Sequence, residues 1–327
     1  MKNKIGIVLP FQNGDLITGT SVLKYRDVLW PDCDIVWFCN EPHSDALKFQ
    51  DIETRYFPHG WGILANDIAG IYSERVKKDK EEGRPEWEDW SILMNSENRL
   101  KQELKNKFSS FSDLSDAYFP APWMLSVQQR HGLSYPDCSK KVFGVPMDWE
   151  WHPVIAWSEE EREAIERFLN PLAYRKLIYF ETFAGSDQSK ITQENVEVAV
   201  RMCRQMWPNC GIIFSSHKFL RAQENFPDGW FDDENILHAK DFTVRQCGLL
   251  NNYVDLIISV SSGTTVACSA WNNKPTPILQ LCGSFICSTK NLALDRHFEL
   301  VTTDHKTYEQ WSNEFYSTLS DVLNIYK

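Results

Sequence analysis

The chain of 327 residues has no apolar run approaching the ~18 residues that cross a bilayer, so no transmembrane helix is expected. Its N-terminus, MKNKIGIVLPFQNGD, starts basic. The apolar stretch there is too short for a secretory signal, and no small-residue cleavage site follows. None of the nine cysteines forms a CxxC pair, and their number is odd. That points to a reducing compartment without disulfides or structural zinc. Positive charge is in deficit, with a formal net charge of -11. Broad nucleic-acid binding needs an exposed basic surface and is therefore disfavoured. The chain also lacks GxGxxG after its first strand, GxxxxGKS/T and the GxSxG nucleophile elbow. The eight histidines show no HExxH or other ligand spacing.

What is present is alternation. Lys4–Pro10 is a continuous apolar run, read as a strand buried on both faces. Thr18–Leu29 has helical periodicity and stops before Pro31. Asp34–Cys39 is a second strand, His43–Gln50 a helix and Glu53–Phe57 a third strand. This βαβαβ start needs a parallel sheet with right-handed crossovers. Between Trp61 and Arg130 the pattern blurs. SERVKKDKEEGRPEWEDW reads as a solvated face, NSENRLKQELKNKF as an exposed amphipathic helix and DAYFPAPWM as a rigid aromatic loop. Val142–Val145 is the candidate closing strand. The domain boundary is placed within residues 146–157, giving domains 1–150 and 151–327. Ser158 and Glu161 then predict a capping box at the start of a helix.

The second half restarts the alternation. Strands are expected at Leu177–Phe180, Gly211–Phe214, Ile236–Ala239, Leu256–Val260 and Thr276–Leu281. Helices are expected at Thr192–Met206, Thr243–Asn251 and Gly263–Trp271. Lys306–Asn324 is a final amphipathic helix, which could cross back to the first domain. The fold class is α/β, with two Rossmann-like parallel-sheet domains facing each other across a cleft. In such sheets ligands bind outside the carboxyl ends of the strands.

Four stretches carry candidate chemistry. Asp15 follows the first strand, where a carboxylate can serve as a general base for a hydroxyl or merely cap a helix. Ser261-Ser262-Gly263-Thr264-Thr265 ends a buried strand and opens a small-residue helix. Free N–H groups, hydroxyls and close backbone approach at the glycine suit a phosphate. A second strand-loop-helix junction, YFETFAGSDQSKITQEN, offers Gly185, Ser186 and Lys190, the last a compact cation suited to a diphosphate. Thr243 opens a helix and could meet a nucleotide or cap that helix. Two acidic clusters, Asp32-Cys33-Asp34 and Asp232-Asp233-Glu234, read as surface turns and not as metal ligands. Among the thirteen tryptophans, Trp61, Trp123 and Trp151 are the best placed to stack on a sugar.

In this order the stretches resemble the heptosyltransferase-like inverting glycosyltransferases of the GT-B fold. NGDLITGTSVLKYRDVLWPDCDIVWF is similar to that family's opening, HPVIAWSEEEREAIERFL to its interdomain linker and helix, and AGSDQSK to its phosphate-contacting loop. FTVRQCGLLNNYVDLIISVSSGTTVACSAWNNKPTPILQL resembles its donor-binding segment. The resemblance implies a nucleoside-diphosphate sugar as co-substrate in the C-terminal half, a glycan or glycolipid acceptor over the N-terminal half, and no required cofactor or metal. It implies Asp15 as the catalytic base, Lys190 against the donor diphosphate, Ser262, Gly263 and Thr264 near the diphosphate or sugar, and Thr243 near the nucleotide. One departure stands out. The family's Asp-Thr-Gly is Ser261-Ser262-Gly263 here, and Val266 stands near the place of its histidine, so ADP-heptose is not the expected donor.

The expected function is metal-independent, inverting transfer of a sugar to a hydroxyl of a surface glycan of lipopolysaccharide or capsule type. The alternatives are a nucleotide-sugar epimerase on the same fold and a non-catalytic nucleotide- or glycan-binding protein. The expected location is the cytoplasm, with peripheral contact at the inner face of the membrane also open.

Overall fold

KIGIV and DIVWFC are apolar at nearly every position, and strands of that kind are stable only when both faces are covered. The structure, a computed structural model, describes residues 2–9, 13–58, 77–78, 81–83, 88–118, 135–172, 175–182, 184, 191–215, 229–282, 297–301 and 308–325, apart from some side chains. The chain divides into two compact units, Met1–Val154 and Ile155–Lys327.

In the first unit, β1 (Lys4–Val8), β2 (Asp34–Cys39), β3 (Glu53–Tyr56) and β4 (Asp116–Tyr118) form a parallel sheet in the order β3-β2-β1-β4. Ile7, Val8, Val36, Trp37, Phe38 and Cys39 are fully buried. The expected Thr18–Leu29 helix is divided. It becomes α1 (Asn13–Gly19), a 3-10 stretch (Thr20–Tyr25) and α2 (Arg26–Leu29). Position 19 is glycine because a side chain there would collide with Leu9 and press on Trp37. The His43–Gln50 helix is instead a 3-10 stretch, Glu41–Leu47, with Pro42 in its first turn. A long helix, α3 (Glu88–Lys107), buries Leu100 and Leu104. The closing strand is not Val142–Val145. Val142 and Phe143 end α4 (Tyr135–Phe143), and the sheet closes at β4, read from sequence as part of an aromatic loop.

Charge holds the edge of this sheet. Arg55 pairs with both oxygens of Asp113 (2.7 and 2.8 Å) and with Glu53 (2.6 Å), and Lys4 reaches the same two carboxylates. Hydrogen bonds from Arg55, with help from Lys4, hold Asp113 and Glu53 below the usual carboxylate range. Groups with depressed folded pKa values add stability that is present above their unfolded pKa and lost as pH falls towards the folded one. Acidification below about pH 4 is therefore expected to lower Tm. Asp113→Asn should lower Tm at neutral pH but flatten this acid slope, as melting curves across pH 2–7 would reveal.

The second unit opens with α5 (Glu159–Leu169), capped by the expected box: Ser158 Oγ accepts from Glu161 N, and Glu161 accepts from Ser158 N. Its sheet comprises β5 (Leu177–Glu181), β6 (Gly211–Ser215), β7 (Ile236–Ala239), β8 (Leu256–Val260), β9 (Ile278–Cys282) and β10 (His297–Val301). All are parallel, in the order β10-β9-β8-β5-β6-β7. One face packs on α6 (Gln193–Met206) and α9 (Tyr308–Ile325) through Val196, Ala199, Trp311 and Phe315. The opposite face packs on α5 and α7 (Val244–Leu250) through Ile165, Leu169, Leu249 and Leu250. A short helix, α8 (Gly263–Cys268), lies beside α7. The linker divides between the units. Val154 accepts from Gln50 and donates to Thr20, whereas Ile155 and Ala156 accept from Asn272 and Arg245. Among the described residues no helix is long and apolar enough to cross a membrane.

Candidate functional site

In the first unit the candidate residue is Asp15. Because α1 begins at Asn13, Asp15 lies inside the first helical turn and is not its cap. The positive end of a helix favours a carboxylate at that place. Leu16, Ile17 and Thr18 turn inward, while Asp15 is half-buried. Thr18 donates to Gly14 O (2.8 Å), which ties the turn from within. Asn13 Oδ1, two residues before Asp15, is buried with no hydrogen-bond partner among the described residues.

In the second unit the serine-glycine turn follows β8, one of the two central strands. Ser262 is the N-cap of α8 and accepts from Thr265 N (3.2 Å). The Thr265 hydroxyl donates to Val260 O (2.6 Å) inside the protein. Thr265 is fully buried and Ser261 nearly so, whereas Ser262, Gly263 and Thr264 are half-buried. Of the five residues singled out in sequence, Thr265 thus serves the turn itself. The middle three form its more open surface.

Two close contacts set this turn against its neighbours. A side chain at Gly248 would meet the Ala267 Cβ at 2.9 Å, so α7 and α8 touch almost backbone to backbone. Asn273, buried, donates to the carbonyls of Gly248, Ala267 and Cys268. Thr243 caps α7 through a reciprocal pair of bonds with Gln246, so the cap reading of that residue describes its place in the fold. Gly185, Ser186 and Lys190 lie outside the described residues, as do Trp61 and Trp123. Trp151 is buried. Of the acidic clusters, Asp34 opens β2, and Asp233 pairs with Arg204 (2.6 Å). Among the described residues no group of three or more His, Cys, Asp or Glu side chains could hold a metal ion.

Sequence reading missed a polar row beneath the turn. Ser215, Glu181, Ser259 and Gln280 occupy one register position across β6, β5, β8 and β9, and all four are buried; Glu299 of β10 pairs with Gln280 at the same position. Neighbours in register share a face, so the four line up on the side of α7 and α8. Glu181 accepts from Ser215 Oγ (2.6 Å) and Tyr179 Oη (3.2 Å). Burial pushes Tyr179 well up, with Cys247 and Glu181 adding to it, so its hydroxyl keeps the proton it donates. Burial also pushes the Cys247 thiol up to about 12, and it stays neutral against this row. Ser259 Oγ and, one residue after Glu181, Thr182 Oγ1 have no hydrogen-bond partner among the described residues. The available signal was polar residues that end LIYFE and GIIFS and interrupt LIISV and ILQLC, but only the register shows that they meet.

No protein-family model matches this chain, and no curated protein matches it. Solved structures do. The chain is similar to a family 9 glycosyl transferase from Veillonella parvula DSM 2008, at 12% identity and TM-score 0.61 over 99% of this chain and 97% of that one. It is similar to the E. coli ADP-heptose lps heptosyltransferase II at 13% identity and TM-score 0.58, covering 99% of each chain. It is also similar to the E. coli heptosyltransferase WaaC with ADP at 9% identity and TM-score 0.56, covering 98% of each. At these identities the likeness establishes the fold. The chain has the two-domain α/β GT-B fold of the heptosyltransferase-like glycosyltransferases, as its motifs suggested.

Proposed function

We propose that the protein is an inverting glycosyltransferase, moving a sugar from a nucleoside diphosphate to a hydroxyl of a surface glycan without a metal. The observation that carries this reading is the turn Ser262-Gly263-Thr264. It is tied to its strand by Thr265, with Ser261 buried beside it, and stands at the carboxyl end of a central parallel strand, where open α/β sheets take their ligands. The GT-B fold adds support, because its solved examples include a heptosyltransferase with ADP.

In this reading the second unit binds the donor. Backbone N–H groups and hydroxyls at Ser262, Gly263 and Thr264 meet the diphosphate, with Lys190 as its counter-charge and Thr243 near the nucleotide. Asp15 of the first unit takes the proton of the acceptor hydroxyl. The freed oxygen attacks the anomeric carbon, the bond from that carbon to the diphosphate oxygen breaks, and the nucleoside diphosphate leaves with the electron pair. A single displacement inverts the anomeric centre. Donors for N–H···O bonds and a lysine stabilise the charge that grows on the leaving group.

The reading is tested by a thermal-shift series with ADP, UDP, GDP and CDP and their sugar conjugates. A donor at 100 times its dissociation constant is expected to add about 2.7 kcal/mol of stability. No shift with any of them would remove the donor site.

A further inference from the structure

A second candidate site lies on the sheet face opposite α7 and α8. The outer face of α6 and the 3-10 turn Trp230–Asp232 bound a groove of about 500 Å³, lined by Glu197, Val200, Arg201, Arg204, Gln205 and Trp230. This volume is in the range of small-molecule sites. Five of the six residues come from one helix at spacings of 3, 4, 7 and 8, so they share one stripe of it. Val200 is buried and forms the floor, while Glu197, Arg201 and Gln205 are exposed.

The indole is held in place. Gly229, at φ +78°, turns the chain, and Asp232 and Asp233 close the 3-10 turn on Gly229 O and Trp230 O. The inner side of the ring packs on Phe214 with centroids 5.6 Å apart. Charge is balanced locally. Arg204 pairs with Asp233 (2.6 Å), and Glu197 accepts from Gln193 (2.9 Å).

We propose that this groove binds a neutral saccharide unit of a glycan chain. A sugar hydroxyl both donates and accepts, and the lining offers both, through the guanidinium groups, the Gln205 amide and the Glu197 carboxylate. The apolar body of the indole suits the C–H face of a pyranose. Arg201 and Arg204 with Glu197 and Asp233 give the groove no net charge, which suits a neutral ligand. This inference does not rest on the assignment of sugar transfer, since a glycan foothold on this face would operate whatever chemistry the turn at Ser262 performs.

The test is saturation-transfer NMR and calorimetric titration of the full chain with neutral disaccharides and tetrasaccharides of glucose, galactose and N-acetylglucosamine. At least one is expected to bind and to stay bound when excess UDP or ADP is added. Trp230→Ala should abolish that binding, and Gln205→Ala should weaken it about tenfold, the loss of one good hydrogen bond. If Trp230→Ala does not fold, Arg201→Ala together with Gln205→Ala, both on the exposed rim, carries the same expectation. Absence of binding by every neutral saccharide overturns the proposal. So does binding that survives the rim variants, or binding that nucleoside diphosphates displace.

Discussion

Replacing Asp15 by Asn is expected to slow sugar transfer by about 10²–10⁴-fold, the usual range for loss of a positioned general base. Asn keeps the size and hydrogen-bonding reach of the side chain and removes only its basicity. The local fold should tolerate it, because Asp15 lies within the first turn of α1 and is not its cap. Other contacts also hold this turn, from Thr18 to Gly14 O and from Gly19 against Leu9 and Trp37. Initial rates with a saturating donor, set beside nucleoside-diphosphate thermal shifts, separate the two roles. A base leaves the shifts unchanged while kcat collapses. A loss below about tenfold would move the base to another residue.

The largest effect on stability is expected at Arg245. Its side chain is 1% exposed, forks onto both oxygens of Glu161 and donates to Ala156 O (3.1 Å). Glu161 also accepts from Ser158 N in the capping box. Arg245→Met leaves a largely buried carboxylate without its cation, which typically costs about 3–5 kcal/mol. For a unit of this size that corresponds to a fall in Tm of about 6–20 °C. Adding Glu161→Gln should recover part of the loss, because the stranded charge is then gone. Urea titrations of the two single variants and the double variant measure this coupling. A double variant no more stable than Arg245→Met would show that lost packing, not the stranded charge, dominates.

The fold was legible wherever local chemistry and tertiary packing agree. Ser158 with Glu161 predicts a capping box, and LIISV followed by SSG predicts a strand that turns into a helix; both features are present. Departures occur where packing overrides local preference. Asn13–Gly19 holds two glycines and two threonine-or-isoleucine positions, a poor helix by propensity. Its buried side, Leu16 to Gly19, packs inward, with Gly19 sitting close to Leu9 and Trp37. The β4 strand is three residues long and, among the described residues, pairs with β1 alone, too short for any alternation to announce it. VFGV was ambiguous because a four-residue apolar run fits either the end of a helix or a strand. HFELV, the β10 strand, sets His297 and Glu299 among its apolar residues and so shows no continuous apolar run. Of the candidate site, the turn that follows β8 was legible as a turn. The row Ser215–Glu181–Ser259–Gln280 was not, because alignment across strands is a property of register and not of any single segment.

The contact of Gly248 with Ala267 has a mechanical consequence. Elsewhere two helices are spaced by side chains, and a change of rotamer can let one settle by an ångström. Here the spacer is a single methyl group with no torsion that moves a heavy atom, and Asn273 pins the adjoining carbonyls. The spacing between α7 and α8 is therefore set by that methyl group and not by a choice of rotamer. On the proposed donor reading, a diphosphate at Ser262–Thr264 would meet a helix held at a fixed spacing from its neighbour.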